Sequence, residues 1–207
     1  MTPLPRSFMA RTVLQVAPDL LGRIFSYGGV ALRITEVEAY DGENDPASHA
    51  YRGRTARTAV MFGPPGHLYV YFTYGMHFCA NVVTGREGVA SAVLLRAGEV
   101  VGGREIAAAR RPGIRPRDWA RGPARLTRTM GLKREENGLD VCTGDAGTAF
   151  AAGDEDVDPT RIRTGPRVGV SGPGGDGVGY PWRFWLDAEP TVSVYRAGVP
   201  RTRQRSG

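Results

Sequence analysis

The sequence predicts an α+β fold, a single domain in which a curved, mostly antiparallel β-sheet carries peripheral helices. Short strand-like segments recur along the chain, whereas helical spacing is confined to a few stretches. Two Gly-bearing connections, at 28–29 and 74–76, are typical of β-hairpins and therefore of antiparallel pairing. With 207 residues, 41% of them apolar, the chain is long enough for one sizeable core.

The N-terminal part predicts a helix and then a hairpin. Apolar residues at helical spacing predict a helix over 8–22, which Pro18 restarts and Gly22 ends. Strands are predicted at 22–27 and 30–40, on either side of the Gly-Gly turn. These two strands form the first antiparallel pair.

A polar stretch at 41–58 separates this hairpin from a second one. The stretch is too polar for a core, and its Asp-Pro pair predicts a short helical turn over 47–50. Strands are predicted at 67–73 and 77–83, around a Gly-bearing tip, and a further strand at 90–97.

The C-terminal half alternates helical and strand-like segments. A helix is predicted at 99–111 despite two glycines, and 115–129 is basic and partly helical. The glycine-rich segment 171–179 is a mobile loop by composition. Short strands are predicted at 140–142, 148–151, 160–164, 168–170 and 192–195. The single domain then covers 1–200, and 201–207 is a basic tail that we expect to be disordered.

The chain is basic, with a net charge of +6 and a pI of about 9.7. All of its basic residues except Lys133 are arginines, which bind phosphate bidentately, so the composition favours a polyanionic partner. No apolar run reaches the ~18–20 residues of a membrane span. The proline-interrupted N-terminus does not make a secretory signal. We expect a cytoplasmic protein that does not bind membranes.

The strand at 30–40 ends unusually, in two carboxylates and a phenol. Strand alternation predicts that Glu36, Glu38 and Tyr40 share a face with Leu32 and Ile34. A half-buried carboxylate such as Glu38 can have a raised pKa and act as a general base. The end of this strand is therefore a candidate catalytic site.

The second hairpin carries an aromatic residue at its tip. Tyr69 and Phe72 are explained by packing across the strand pair. Tyr74 has little to pack against at a Gly-bearing turn, so we expect its ring to contact a binding partner. A side chain wedged into a stacked nucleic-acid duplex is one such use.

Several of these segments together resemble the methylpurine (alkyladenine) DNA glycosylase family. The likeness extends from about Ala10 to Tyr195. The segments are TEVEAY at 35–40, His49, MFGPPGHLYVYFTYGMHFCAN at 61–81, VLLRA at 93–97, GPARL at 122–126, RVGV at 167–170 and TVSV at 191–194.

The resemblance implies a monofunctional DNA glycosylase of base excision repair. Such an enzyme binds damaged double-stranded DNA, inserts its protruding hairpin into the minor groove, and flips the damaged nucleotide out. The implied substrates are alkylated purines (3-methyladenine, 7-methylguanine) and deaminated or etheno purines, and the product is an abasic site. No metal or organic cofactor is implied, and we expect a monomer, nucleoid-associated if bacterial. The sole lysine, Lys133, lies in a Glu-rich turn, which argues against a Schiff-base lyase.

The resemblance also implies residue roles at the base pocket. Glu38 deprotonates a water beneath the anomeric carbon, and Arg96 helps to hold that water. The residues that sandwich the flipped base are Tyr40, His49 and Tyr71, whose faces suit a cationic purine. Asn81 crowds the exocyclic amine of guanine.

Further residues are implied or expected to contact the duplex. Tyr74 fills the space that the flipped base vacates, with Met76 beside it. The expected contacts with the DNA backbone are His77, Arg54, Arg57, Arg125 and Arg167, to which the arginines of the tail add sequence-independent affinity. His77 stands where the mammalian family member has tyrosine. The loop at 171–179 is longer than usual for the family, and we expect it to flank the pocket.

Three other functions stay open at this point. A non-catalytic nucleic-acid-binding module would use the arginines and Tyr74 but not Glu38. A glycosylase for bulky natural-product adducts would share all these residues. A metal-dependent hydrolase would instead draw its ligands from the acidic segment after the strand, which matches no calcium-loop or zincin motif. These ligands would be Glu36, Glu38, Asp41, Glu43, Asp45 and His49, although a solvated acidic loop also explains Asp41, Glu43 and Asp45.

Overall fold

The computed structural model describes residues 2–73, 75–153 and 157–199. It confirms the α+β class, because eight strands of these residues form one open antiparallel sheet with helices packed against it. The helices are α1 (Arg6–Met9), α2 (Val13–Asp19), α3 (Arg104–Arg110) and α4 (Pro123–Met130). The strands are β1 (Ile24–Tyr27), β2 (Val30–Tyr40), β3 (Leu68–Thr73), β4 (His77–Val83), β5 (Ala92–Gly102), β6 (Ala149–Ala151), β7 (Ile162–Gly165) and β8 (Arg183–Leu186).

The two longest strands, β2 and β5, form the centre of the sheet. The strand order is β3-β4-β5-β2-β1-β6, while β8 pairs with β2 and β7 pairs with β8. The first half of β2 pairs with β1, and the second half, at 36–38, pairs with β8. The end of β2 therefore lies between β5 and β8, which buries it on both edges.

The hairpin between β1 and β2 has the predicted turn. Tyr27 pairs with Val30, and the two central residues, Gly28 and Gly29, have φ angles of 56° and 78°. Positive φ at both central positions characterises a type I′ turn, which glycine adopts without steric cost. The strands on either side follow the predicted bounds closely, and the same is true of β3 and β4.

The main core lies on one face of the sheet, under α2 and α4. Val16 of α2, Leu20 just after α2, and Leu126 and Met130 of α4 all belong to this core, and all four are fully buried. A smaller cluster on the other side of β3–β5 includes Tyr69, together with Ala50, Met61, Val83, Ala90 and Ala92. Burying the side chains of the main core supplies most of the driving force for folding.

The prediction that Glu36, Glu38 and Tyr40 share a face with Leu32 and Ile34 is wrong. The β2–β5 pairing shifts register twice between Ile34 and Val37. Leu32 and Ile34 belong to the core, but beyond the shifts it is the odd-numbered Val37 and Ala39 that join it. Irregular pairing re-aims side chains in this way. The carboxylates thus face away from the main core.

Other local expectations also need correction. The chain continues as β5 through Gly102, because Val100 pairs with Leu32, so α3 begins at Arg104 and not at 99. The helix predicted over 8–22 is divided into α1 and α2, and Pro18 lies inside α2. The segment 47–50 forms turns without a helix.

Three short segments predicted as strands are not strands. Segments 168–170 and 192–195 run without a ladder, and 140–142 contributes one isolated bridge, from Asp140 to His67. Their backbone groups make individual hydrogen bonds to side chains or loops. For example, the Gly169 N–H donates to the carbonyl of Arg196. The sequence analysis does not predict β8 (Arg183–Leu186), which pairs with the distant end of β2.

No helix in the described parts of the chain is long and apolar enough to cross a membrane. The predicted basic tail at 201–207 lies outside the described residues, so the domain boundary at 200 stays a prediction.

Candidate active site

The structure brings six predicted site residues together around one cavity of about 510 Å³. They are Glu38, Tyr40, His49, Tyr71, Asn81 and Arg96. The end of β2, the neighbouring strands β3 to β5, the loop after β2 and the segment at 168–171 each supply part of the wall. A cavity of this volume suits a small organic group such as a nucleobase.

Glu38 is a buried carboxylate at this cavity, with 0% of its side chain exposed. The Tyr40 hydroxyl donates to Oε2 at 2.9 Å, and the Val168 backbone N–H donates to Oε1 at 2.7 Å. Arg96 Nη1 lies 3.3 Å from Oε1. Burial and the charge of Glu38 raise the pKa of Tyr40 well above its ordinary value, so its hydroxyl remains a donor.

Arg96 is held in place by a second carboxylate, Glu36. Arg96 Nε donates to Glu36 Oε1 at 3.1 Å, which leaves Nη1 directed at Glu38. Burial alone lowers the pKa of Arg96, but the charges of Glu38 and Glu36 outweigh it and raise that pKa. Arg96 therefore carries a permanent positive charge beside Glu38.

Glu36 itself has two partners that the sequence did not indicate. Arg183 Nε donates to Glu36 Oε1 at 2.7 Å, and the Ser193 N–H donates to Oε2 at 2.7 Å. The Ser193 hydroxyl lies 3.0 Å from Oε1. Glu36 thus joins β2, β5, β8 and the C-terminal segment behind the cavity. Ser193 lies in TVSV, a segment whose likeness to the family was the only available signal.

Three neighbouring aromatic rings, those of His49, Tyr69 and Tyr71, line one wall of the cavity. Tyr69 and Tyr71 stack with their centroids 5.4 Å apart, and His49 meets Tyr71 edge-on at 4.6 Å. His49 Nδ1 lies 3.1 Å from the Tyr69 hydroxyl. Desolvation by the surrounding protein and the charge of Arg57 lower the pKa of His49 to about 4, although part of this residue stays exposed to solvent. The imidazole is therefore neutral at neutral pH.

Tyr69, which the sequence assigns to packing across the hairpin, also contacts the other pocket residues. It is 2% exposed, but its hydroxyl bonds to His49 and its carbonyl accepts a hydrogen bond from Asn81 Nδ2 at 3.0 Å. Asn81 lies opposite Tyr69 in the β3–β4 pair and is buried. The fixed amide gives the cavity a rigid polar wall.

The prediction that Arg167 contacts the DNA backbone is wrong, because the side chain is 0% exposed. Its guanidinium donates to both carboxylate oxygens of Asp45, at 2.5 and 2.7 Å, and to the carbonyls of Ala39 and Gly174. It also lies 4.5 Å from the centroid of the Tyr40 ring. Asp45, also 0% exposed, is not part of a solvated loop.

The acidic segment does not gather around one point. Glu36 binds two arginines, Asp45 binds Arg167, and Glu43 is exposed. Among the described residues there is no group of three or more His, Cys, Asp or Glu side chains placed to hold a metal ion. The geometry therefore does not favour the metal-dependent hydrolase.

The other residues predicted to contact DNA lie on the surface, except for one that lies outside the described residues. That one is Tyr74 at the hairpin tip. Met76 is 68% exposed, and the remaining exposed residues are His77, Arg54, Arg57 and Arg125. Their contacts with DNA stay predictions. Arg57 also faces the cavity, with its guanidinium 5.4 Å from the Tyr71 ring.

Comparison with known proteins assigns this site to a class. A model of the methylpurine-DNA glycosylase family matches residues 7–190, which is most of the chain. The fold and the pocket are therefore those of a DNA N-glycosylase, a hydrolase of DNA repair. The chain belongs to the methylpurine-DNA glycosylase family.

Bacterial relatives support the same assignment. A protein of Streptomyces avermitilis is 56% identical over 98% of this chain and 96% of its own length. Proteins of Leifsonia xyli and Frankia casuarinae are 52% and 50% identical, and this chain matches 91% and 90% of their lengths. Each of the three carries the name 3-methyladenine DNA glycosylase, an activity that is inferred for it.

Proposed function

We propose that the protein is a monofunctional glycosylase that removes 3-methyladenine and related alkylated purines from duplex DNA. Glu38 activates the water that hydrolyses the N-glycosidic bond, and the product is an abasic site. The observation that carries this proposal is the position of Glu38, a fully buried carboxylate that lines an aromatic cavity and faces the charged Arg96.

The chemistry follows from the surroundings of Glu38. Tyr40, Val168 and Arg96 fix the carboxylate, so it needs no rearrangement when a sugar lies above it. Its negative charge stabilises the oxocarbenium character that develops at the anomeric carbon, and it takes a proton from the attacking water. The bond from that carbon to the base nitrogen breaks, and its electron pair leaves with the base.

The cavity favours purines that are already cationic. Such a base leaves as a neutral molecule and needs no proton from the enzyme. His49, neutral at neutral pH, is not a general acid there, and the rings of Tyr40 and Tyr71 attract a positive base. Alkylated purines thus fit better than deaminated ones, which need protonation. Asn81, fixed beside Tyr69, would crowd the exocyclic amine of guanine and so disfavour ordinary guanine. The base 7-methylguanine shares that amine, but its positive charge makes the glycosidic bond labile, so we expect excess enzyme to release it.

We expect the reaction to release a free base and leave the strand intact until alkali is added. The test uses a duplex with one 7-methylguanine, incubated with excess enzyme in the presence of a chelator. Borohydride should trap no covalent enzyme–DNA adduct, since no lysine lines the cavity among the described residues. Trapping, or loss of activity in the chelator, would contradict a monofunctional, metal-independent reaction.

The protonation of His49 can be measured directly. NMR titration of its ring should give a midpoint near pH 4, well below the ordinary 6.5, with His49→Gln identifying the resonance. Because the unfolded chain binds this proton first, the His49 contribution to stability is complete above about pH 6.5 and is lost as the pH falls to about 4. A midpoint near pH 6.5 would contradict the proposal that His49 is a neutral ring that contacts the base.

A further inference from the structure

The guanidinium group of Arg96, which faces Glu38, has a partner at each of its three nitrogens. Nε donates to Glu36 Oε1 at 3.1 Å, and Nη2 donates to the Ser193 hydroxyl at 3.3 Å. The remaining nitrogen, Nη1, lies 3.3 Å from Glu38 Oε1. Because a guanidinium group is planar and its donors have fixed directions, the contacts at Nε and Nη2 set the direction of Nη1.

The hydroxyl of Ser193 links Arg96 to Glu36. It lies 3.0 Å from Glu36 Oε1 and 3.3 Å from Arg96 Nη2. A carboxylate only accepts hydrogen bonds and a guanidinium group only donates them. The hydroxyl therefore donates to Glu36, and its oxygen accepts from Arg96. A side chain at this position has to be both a donor and an acceptor to satisfy the two neighbours.

Charge alone does not decide where Arg96 points, because two carboxylates attract it. The side chains of Glu36 and Glu38 are both 0% exposed, and each lies within 3.3 Å of the Arg96 guanidinium. The charges of both carboxylates raise the pKa of Arg96 against the effect of burial. Attraction between charges has no preferred direction, whereas a hydrogen bond does. The bond from Nη2 to Ser193 thus selects one orientation.

The backbone of Ser193 is held without help from its hydroxyl. The N–H of Ser193 donates to Glu36 Oε2 at 2.7 Å, and the carbonyl accepts from Arg183 Nη2 at 3.0 Å. Two residues earlier, the Thr191 hydroxyl bonds to the hydroxyl of Thr35 on β2 at 2.9 Å. Removing the hydroxyl of Ser193 should therefore leave this segment in place.

We propose that Ser193 is a positioning residue of the glycosylase reaction, because its hydroxyl and Glu36 together keep Arg96 Nη1 opposite Glu38. The proposal rests on the proposed function, since it concerns the reaction that Glu38 carries out. A positive charge fixed beside the carboxylate holds Glu38 and the attacking water in one arrangement, so little reorganisation is needed in the transition state. Ser193 does not line the base pocket and acts only through Arg96.

The first test compares the rate of base release with the affinity for DNA. Ser193→Ala should release 7-methylguanine about tenfold more slowly in single turnover, the cost of one hydrogen bond to a charged group. Its affinity for a duplex with an uncharged abasic-site analogue should equal that of wild type. Ser193→Thr keeps a hydroxyl and should restore the rate. The matched control is Ser91→Ala, which removes a buried hydroxyl that bonds to Thr84 and lines no part of the pocket.

The second test asks whether Ser193 acts through Arg96. Arg96→Lys keeps the positive charge, but an ammonium group has no plane to orient. Adding Ser193→Ala to Arg96→Lys should therefore slow release no further, although the same change slows the wild-type protein about tenfold. An equal loss in both backgrounds would overturn the proposal. A rate of Ser193→Thr as low as that of Ser193→Ala, or a loss of affinity as large as the loss of rate, would also overturn it.

The third test does not depend on catalysis. Hindered rotation should give separate NMR signals for the Nη protons of Arg96, which are identified by their loss in Arg96→Lys. These signals should merge in Ser193→Ala and stay separate in Ser193→Thr. Separate signals in Ser193→Ala would show that the hydroxyl does not hold Arg96, and would overturn the proposal.

The outcomes distinguish this proposal from the proposed function. If the signals merge in Ser193→Ala but the wild-type protein releases no methylated purine, the proposed function fails, and Ser193 still holds Arg96. If the protein excises methylated purines while Ser193→Ala behaves like Ser91→Ala, the positioning role of Ser193 fails alone.

Discussion

Replacing Glu38 by glutamine is expected to slow excision of a methylated purine by about 10²–10⁴-fold, the usual range for removing a general base. Glutamine keeps the shape of the side chain, and it can still accept from the N–H of Val168. It lacks the negative charge that activates water and stabilises the developing cation. Single-turnover release of 7-methylguanine, followed by alkaline cleavage, measures the rate.

The fold and the binding of DNA serve as controls for this variant. Glu38→Gln should bind a duplex with an abasic-site analogue about as tightly as wild type, and should give an unchanged circular dichroism spectrum. Glu99→Gln is the matched control, because Glu99 is a half-exposed carboxylate on β5 that pairs with Arg33 outside the cavity. Equal rates for Glu38→Gln and Glu99→Gln would rule out Glu38 as the base. No release by the wild-type protein, with binding retained, would instead favour the non-catalytic binding module or a glycosylase for bulky adducts.

Replacing Arg167 by methionine is expected to lower the free energy of unfolding by about 3–5 kcal/mol. Methionine fills much of the volume but leaves the Asp45 carboxylate buried without its partner, and removes the bonds to the carbonyls of Ala39 and Gly174. Urea denaturation measures the change. Activity at a temperature where the variant is folded should also fall, because Arg167 supports Tyr40 and the backbone next to Val168.

Two further variants separate the ion pair from general damage. Arg163→Met removes a pair of similar length, 2.7 Å, whose two partners are both 49% exposed, and it should cost about 0–1 kcal/mol. The double variant Asp45→Leu/Arg167→Met should be less destabilised than the sum of its single variants, because no charge is left unpaired. If Arg167→Met costs no more than Arg163→Met, the pair does not hold the pocket together.

The contiguous motifs of the sequence were sufficient to identify the family and six of the residues that line the pocket. Glu38 and Tyr40 lie in one strand, and Tyr71 and Asn81 lie in a single hairpin whose glycine-bearing turn and alternation are local properties. Such features depend on residues that are close together in the sequence, so the sequence alone predicts them. The hairpin of β1 and β2 was predicted for the same reason, because Gly28 and Gly29 alone permit its turn.

The tertiary structure alone decided the roles of residues whose partners are distant in the chain. The register shifts in β2 depend on its pairing with β5, and they reversed the predicted face of Glu36 and Glu38. The sequence predicts Arg167 as a surface cation, but it is buried in an ion pair with Asp45, which lies 122 residues away in the chain. A charge is buried only where the fold supplies an opposite charge and hydrogen bonds, and no local pattern records where that partner will lie.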